Sequence, residues 1–317
     1  MNLLATRSRA VVLASATLLA GTVLSGCGAL SEDSGSGNGR RIVAAFYPLQ
    51  YVAERVAGDH FEVDNLTQAG QEPHDLELKV EQTAALTDAR LVVFEHGFQP
   101  AVDAAVEENA EGEVLDVADV VDLQPFAEHE DGDEGHADEG HADEHGDLDP
   151  HFWQDPLLMA DLGDAIASRL ADLDSDHADD FTANAEALRS DMEALDREFT
   201  EGLADCARDT VVVNHDAFGY LARFGLHLEP ISGFSPGAEP TPADLGNLQE
   251  LIRHDHITTV FSETLVSPKT AETLAHDLGI RADVLDPIEG LSDETKNEDY
   301  VSLMRSNLQR LTEANGC

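Results

Sequence analysis

Beyond residue 40 the chain alternates between short apolar runs and longer stretches in which apolar side chains recur every three or four positions. IVAAFYPL (Ile42–Leu49) has strand length and composition, and the QYVAERVAG that follows reads as a helix stopped at Gly58. FEVDNL predicts a second strand, and a helix is expected around Leu78–Ala89. LVVF (Leu91–Phe94), a helix over Ala101–Asn109 and VLDV (Val114–Val117) continue the alternation. The pattern then changes. DPLLMADLGDAIASRLADL is helical, and beyond it Phe181, Leu188, Met192, Leu195, Phe199 and Leu203 recur at mostly helical intervals, with no Gly or Pro until Gly202. This long helix has no companion strand and reads as a connector.

After Cys206 the alternation resumes with VVVN (Val211–Asn214), a helix through Ala217–Phe224, and LHLEPI. Thr241-Pro242 and Ser267-Pro268 look like an N-cap followed by proline at the first helical position. TTVFS lies between those helices, Gly279 closes the second, and ADVLDP and a helix over Tyr300–Ala314 end the chain. Strands separated by helices predict parallel βαβ units. The expected architecture is α/β with two lobes, residues 41–172 and 207–317, each a parallel-rich sheet flanked by helices. One long helix within 173–206 joins them and leaves a cleft where ligands bind at strand C-terminal ends.

The first 40 residues do not fit this pattern. Arg7 and Arg9 precede an apolar run from Ala10 to Leu24 that ends in LSGC, and SEDSGSGNGR follows at Ser31–Arg40. A basic start, a short apolar core and small residues before a cleavage point describe a secretory signal over residues 1–26. The run is short for a membrane span, and residues 27–40 read as a flexible tether. Export places Cys206 and Cys317 in an oxidising compartment, where an isolated pair is expected to be bridged. The formal net charge of −46, with three lysines among 18 basic residues, excludes nucleic acid as a partner, since nothing would neutralise its phosphates. A monomer is expected.

Candidate chemistry lies at element edges. His74 (GQEPHDLE) falls between a strand and a helix, His151 (DPHFWQDP) just before a helix, and His215 (VVVNHDAFGY) at a strand–helix junction. Three neutral imidazoles from both halves, joined by a carboxylate, suit tetrahedral zinc. Asp149, Asp155 and Asp216 are placed to accept hydrogen bonds from the ring nitrogens that do not meet the metal. His96, in FEHGF after a strand, is placed to line the cleft. A zinc hydrolase would need an open coordination position and a general base; the chain has no HExxH motif.

GQEPHDLE, DPHFWQDP, NHDAFGYLARFGL and SPKTAETLAHDLGIRADVLDPIEGL, in that order behind an LSGC lipobox, resemble the zinc-binding lipoproteins of ABC uptake systems, the cluster A-I solute-binding proteins. The resemblance is collinear from about Arg41 to the C-terminus. It implies a metal buried between two lobes, delivery to an ABC permease, and lipidation of Cys27 as an anchor on the outer face of the cell membrane. Carried over by position, it implies His74, His151 and His215 as ligands. The fourth falls in LDPIEGL: Glu289 matches the zinc-type pattern, Asp286 is the alternative, water is a third option, and Glu263 in FSET is a weaker candidate. Manganese-type relatives carry glutamate where this chain has His215, so the resemblance favours zinc over manganese. An adhesin-like surface lipoprotein is the alternative outside transport.

The family also implies a role for the segment 128–148. Glu128–Pro150 holds His129, His136, His141 and His145 among eleven acidic residues and no basic one. Such a composition buries too little apolar surface to fold and predicts a mobile loop. Weak, multivalent zinc collection beside the cleft is the expected role. Zinc should leave the main site as pH falls through histidine's reference pKa of roughly 6.5.

Overall fold

The computed structural model describes residues 39–126 and 148–317. The signal, Cys27, most of the tether, and His129, His136, His141 and His145 lie outside the described residues.

Strands β1 (Arg41–Ala44), β2 (Glu62–Asn65), β3 (Leu91–Phe94) and β4 (Glu113–Asp116) form one parallel sheet in the order β2-β1-β3-β4. Helices α1 (Tyr47–Ala57), α2 (Val80–Asp88) and α3 (Pro100–Asn109) make the crossovers. Helices α4 (Pro156–Leu173) and α5 (Ala178–Gly202) follow. A second parallel sheet then repeats the first one's order with β5 (Thr210–Val213), β6 (His227–Pro230), β7 (Thr259–Ser262) and β8 (Arg281–Val284), arranged β6-β5-β7-β8. Helices α6 (Pro242–His254), α7 (Lys269–Leu278) and α8 (Tyr300–Asn315) complete this lobe.

The side-chain period of a strand explains how β5 serves two layers. Val211 and Val213 point into the large core shared by both lobes, while Val212 points the other way, into a smaller core with Leu248, Ile252 and Leu274 from α6 and α7. The long helix α5 buries Phe181, Ala185, Leu188, Met192, Leu195 and Phe199, a stripe that advances by four and three residues in turn. It packs along α4, where Gly163 permits the approach: a Cβ there would stand 2.8 Å from Leu188 Cδ2.

Three local expectations change. The first strand ends at Ala44, because Pro48 sits in the first turn of α1 and pre-sets helical φ. Ala217–Phe224 is not an α-helix; a 3-10 turn over Gly219–Phe224 ends at left-handed Gly225. Thr241 caps α6 through a reciprocal bond pair with Asp244, as its position predicted, whereas Pro268 is itself the N-cap of α7 and Ser267 lies outside.

Candidate metal centre

All the residues at the centre follow strand ends or loops on the C-terminal side of the sheets. His215 is two residues past β5, Glu263 one past β7, and Glu289 five past β8; His74 lies on the turns after β2, and His151 leads into α4. The three imidazoles form a nearly equilateral triangle, with ring centroids 5.6, 5.5 and 5.5 Å apart. Glu289 Oε1 stands over it, 3.2 Å from His215 Nε2, 3.4 Å from His74 Nε2 and 3.6 Å from His151 Nε2. One ligand atom from each of the four lies within 4.8 Å of all the others. The side chains of His151 and His215 are wholly buried and that of His74 is 5% exposed. Among the described residues His151 Nε2 and His215 Nε2 make no hydrogen bond, so two buried, polar nitrogens face one carboxylate oxygen. Such an arrangement is costly unless a cation or proton fills it.

The outward nitrogens are held from behind. Asp149 Oδ1 lies 2.7 Å from His151 Nδ1 and also accepts the His151 backbone N–H at 2.9 Å. Glu263 Oε1 does the same for His215, at 2.6 Å from Nδ1 and 3.1 Å from the backbone nitrogen. These bonds orient the rings with Nε2 inward. Asp149 fits the expectation for it. Asp155 and Asp216 do not take that place: Asp155 caps α4 through Leu157 N and pairs with Arg223 at 2.6 Å, and the His215 ring turns to Glu263 instead of Asp216. Glu263, weighed above as a ligand, is occupied behind His215. Phe98 and Phe234 flank His74 at 4.7 and 4.8 Å, one from each lobe.

The root of the acidic segment meets this scaffold. Asp149 N donates to Gln124 O at 2.7 Å, Pro125 and Leu148 form an antiparallel bridge, and Tyr220 Oη donates to Asp149 O while accepting from Gln124 N. Tyr220 can come this near because Gly219 precedes it; a Cβ on Gly219 would stand 2.7 Å from Asp149 Oδ2.

Charges at the centre oppose burial. Burial alone would strip the proton from His215, but the carboxylates of Glu263 and Glu289 outweigh it and push its pKa up to about 10. Asp149 and Glu289 likewise overcome burial and raise His151. At His74 burial wins, with the two other imidazoles adding to it, and the pKa falls. Burial would raise Glu289, yet His74 and His215 hold it well below the usual carboxylate range. The Glu289 carboxylate and the protonated imidazoles of His215 and His151 therefore favour one another.

Asp286 is not in the cluster. Its Oδ1 accepts the Ile288 N–H at 2.8 Å, and burial raises its pKa to about 6. It shapes the turn that delivers Glu289. Ile288 in that turn has φ 61°, a left-handed conformation that is rare for a β-branched residue and costs about 1–3 kcal/mol. No periodicity or propensity signal reveals it. Two further departures concern FEHGF. His96 is turned to solvent, its side chain 70% exposed. Its neighbour Glu95 is buried instead, with neither carboxylate oxygen hydrogen-bonded. Burial, then the charges of Asp149, Asp116 and Asp103, raise its pKa well above the usual value.

Known proteins share this chain's fold and its sequence. Zinc-binding lipoprotein AdcA of Streptococcus pneumoniae is 34% identical over 277 residues; the match covers 85% of this chain, which spans only about half (54%) of that longer relative. High-affinity zinc uptake system protein ZnuA of Bacillus subtilis is 31% identical over 290 residues, covering 90% of each chain. The solved structure of the Zn(II)-bound ZnuA-like domain of S. pneumoniae AdcA superposes with a TM-score of 0.73 at 30% identity, over 88% of this chain and 99% of that one. The two-lobed fold with a parallel sheet in each lobe is thus that of ZnuA-like proteins. The profile of the family described as ZnuA, zinc-uptake complex component A, periplasmic, matches residues 42–314, and the chain belongs to that family.

Proposed function

We propose that the protein is an extracytoplasmic receptor that captures Zn2+ between its lobes through His74, His151, His215 and Glu289 and hands it to an ABC permease. The convergence of three imidazole nitrogens from both lobes on one Glu289 oxygen carries the reading. Three nitrogen donors and one carboxylate suit tetrahedral zinc, whereas manganese favours oxygen-rich shells. The lipobox at Cys27 and the lipoprotein name of the pneumococcal relative support attachment to the outer face of the cell membrane. The protein acts by binding, not by catalysis: four protein donors complete a tetrahedral shell and leave no position for an activated water. Cross-lobe bonds that need no metal, such as Gly70 N to Leu291 O at 2.7 Å and Tyr220 Oη to Asp149 O at 2.8 Å, favour a small closing motion.

Protein purified without added metal should retain one zinc per chain through dialysis, measured by elemental analysis, and keep it against excess manganese in a competitive titration. Manganese displacing zinc at equal concentration overturns the assignment.

Proton bookkeeping sharpens the pH dependence. Below about 10 the metal-free site holds the His215 proton, and zinc must displace it. Apparent affinity therefore falls as pH falls through the whole neutral range, by up to about tenfold per unit for each proton displaced. The window lies above the reference histidine value. Calorimetry at pH 7.5 in buffers of different ionisation heat should show at least one proton released per zinc; no release would contradict the charge state derived above.

A further inference from the structure

The turn that presents Glu289 is gripped from the opposite lobe. Trp153 Nε1 and Gln154 Nε2 both donate to the Pro287 carbonyl, at 2.7 and 2.6 Å. That carbonyl belongs to the same peptide plane as the Ile288 N–H, which donates to Asp286 Oδ1 at 2.8 Å. One peptide group is thus pinned at both ends, and immediately after it the chain takes the left-handed φ of 61° at Ile288 and then projects Glu289 into the site. Released at either end, the plane is free to rotate and let Ile288 return to an ordinary conformation, carrying the carboxylate off the histidines.

Gln154 shows that the grip is worth a cost. Its side chain is wholly buried, yet Oε1 has no partner and its one hydrogen bond is the bond to Pro287. A leucine would fill the same space without burying an unsatisfied oxygen. What the amide contributes here is the bond from its nitrogen to Pro287. Trp153 is equally buried, stacks edge-on with Phe46, Phe98 and His151, and accepts the Tyr300 hydroxyl at its own carbonyl, so the donor pair is rigid.

We propose that Trp153 and Gln154 are positioning residues for Glu289. The DPHFWQDP peptide then does two jobs: it supplies His151 from its own lobe and locks the charged ligand of the other lobe in place. Separation of the lobes withdraws the Pro287 grip, Ile288 relaxes, and the carboxylate leaves the metal first. This rests on the zinc-capture reading.

The test compares wild type, Gln154→Leu and Gln154→Leu/Ile288→Gly by competitive zinc titration and by the visible absorption of the Co2+ form against pH. Gln154→Leu should weaken zinc binding by about tenfold, as losing a bond that orients a ligand does. Its Co2+ spectrum should become pH-dependent near ~7, because water takes the place of Glu289 and titrates there. Wild type, with four protein donors, should show no such change. Adding Ile288→Gly should restore most of the lost affinity and the pH-independent spectrum, since glycine adopts a positive φ without the steric cost that isoleucine bears. Unchanged affinity in Gln154→Leu, a weakened site whose Co2+ spectrum stays flat with pH, or failure of the glycine to rescue would each overturn the proposal. Should Gln154→Leu not fold, Trp153→Phe removes the other donor and carries the same expectations. Wild type lacking tight zinc would reject the capture reading itself, a result distinct from all of these.

Discussion

His215→Ala lowers zinc affinity by at least about a hundredfold, the largest loss expected from any single side chain at the centre. His215 makes the shortest approach to Glu289 and its other nitrogen is bonded to Glu263 at 2.6 Å. Removing the ring deletes a ligand and also leaves Glu263 and Glu289 as buried carboxylates without the imidazole that faced them both. Two buried negative charges then lack the compensating imidazole, which loosens the geometry that holds Glu289. Two costs therefore add in the same direction. His74→Ala removes only the first, because among the described residues no carboxylate stands behind His74 and its Nδ1 has no partner. Its loss should be the smaller of the two. Competitive titration against a chromophoric chelator measures both, and a change of less than about threefold for His215→Ala rejects the centre as drawn.

Removing the Cys206–Cys317 disulfide should cost about 4–5 kcal/mol of stability by the chain-entropy argument, because the bridge spans 111 residues and so closes a ring around the entire second lobe. The C-terminus is also held at this point by Arg208, which donates to Ala314 O at 2.8 Å and, through its backbone, to Asn315 O. Native geometry near the bridge should therefore survive its loss, leaving the unfolded chain as the state most changed. The double variant Cys206→Ser/Cys317→Ser, melted in the presence of chelator, should show a Tm lower by on the order of 10 °C. Zinc stoichiometry should not change, since neither cysteine nor its neighbours touch the centre. A shift below about 2 °C would mean that the unfolded chain gains little freedom when the ring is opened.

The two lobes, the strand–helix alternation and the long helix were legible because burial leaves a periodic trace. VVVN and LVVF are short β-branched runs of strand length, and the α5 stripe has helical spacing. The three histidines of the centre were legible as chemistry at element edges, strengthened by the order of their motifs. What could not be read was the arrangement behind them. Which carboxylate backs His215 depends on β7 lying beside β5, so Glu263, 48 residues away, wins over the adjacent Asp216. Sequence proximity pointed to the wrong acid. Asp286 and Glu289 are three residues apart in one turn, and only the positive φ at Ile288 decides that the second enters the site while the first stays behind to hold the turn. The burial of Glu95 beside an exposed His96 reverses the usual reading of such a pair.

The stitched root at Gln124–Pro125 and Leu148–Asp149 has a consequence for how this protein can vary. The Pro125–Leu148 bridge and the bond from Asp149 N to Gln124 O fasten the chain to the folded core on both sides of residues 127–147. His151 keeps its orientation from Asp149 on the folded side of that fastening. The orientation of His151 is therefore set by contacts of the folded core, and a change between residues 127 and 147 that leaves this fastening intact should leave the imidazole where it is.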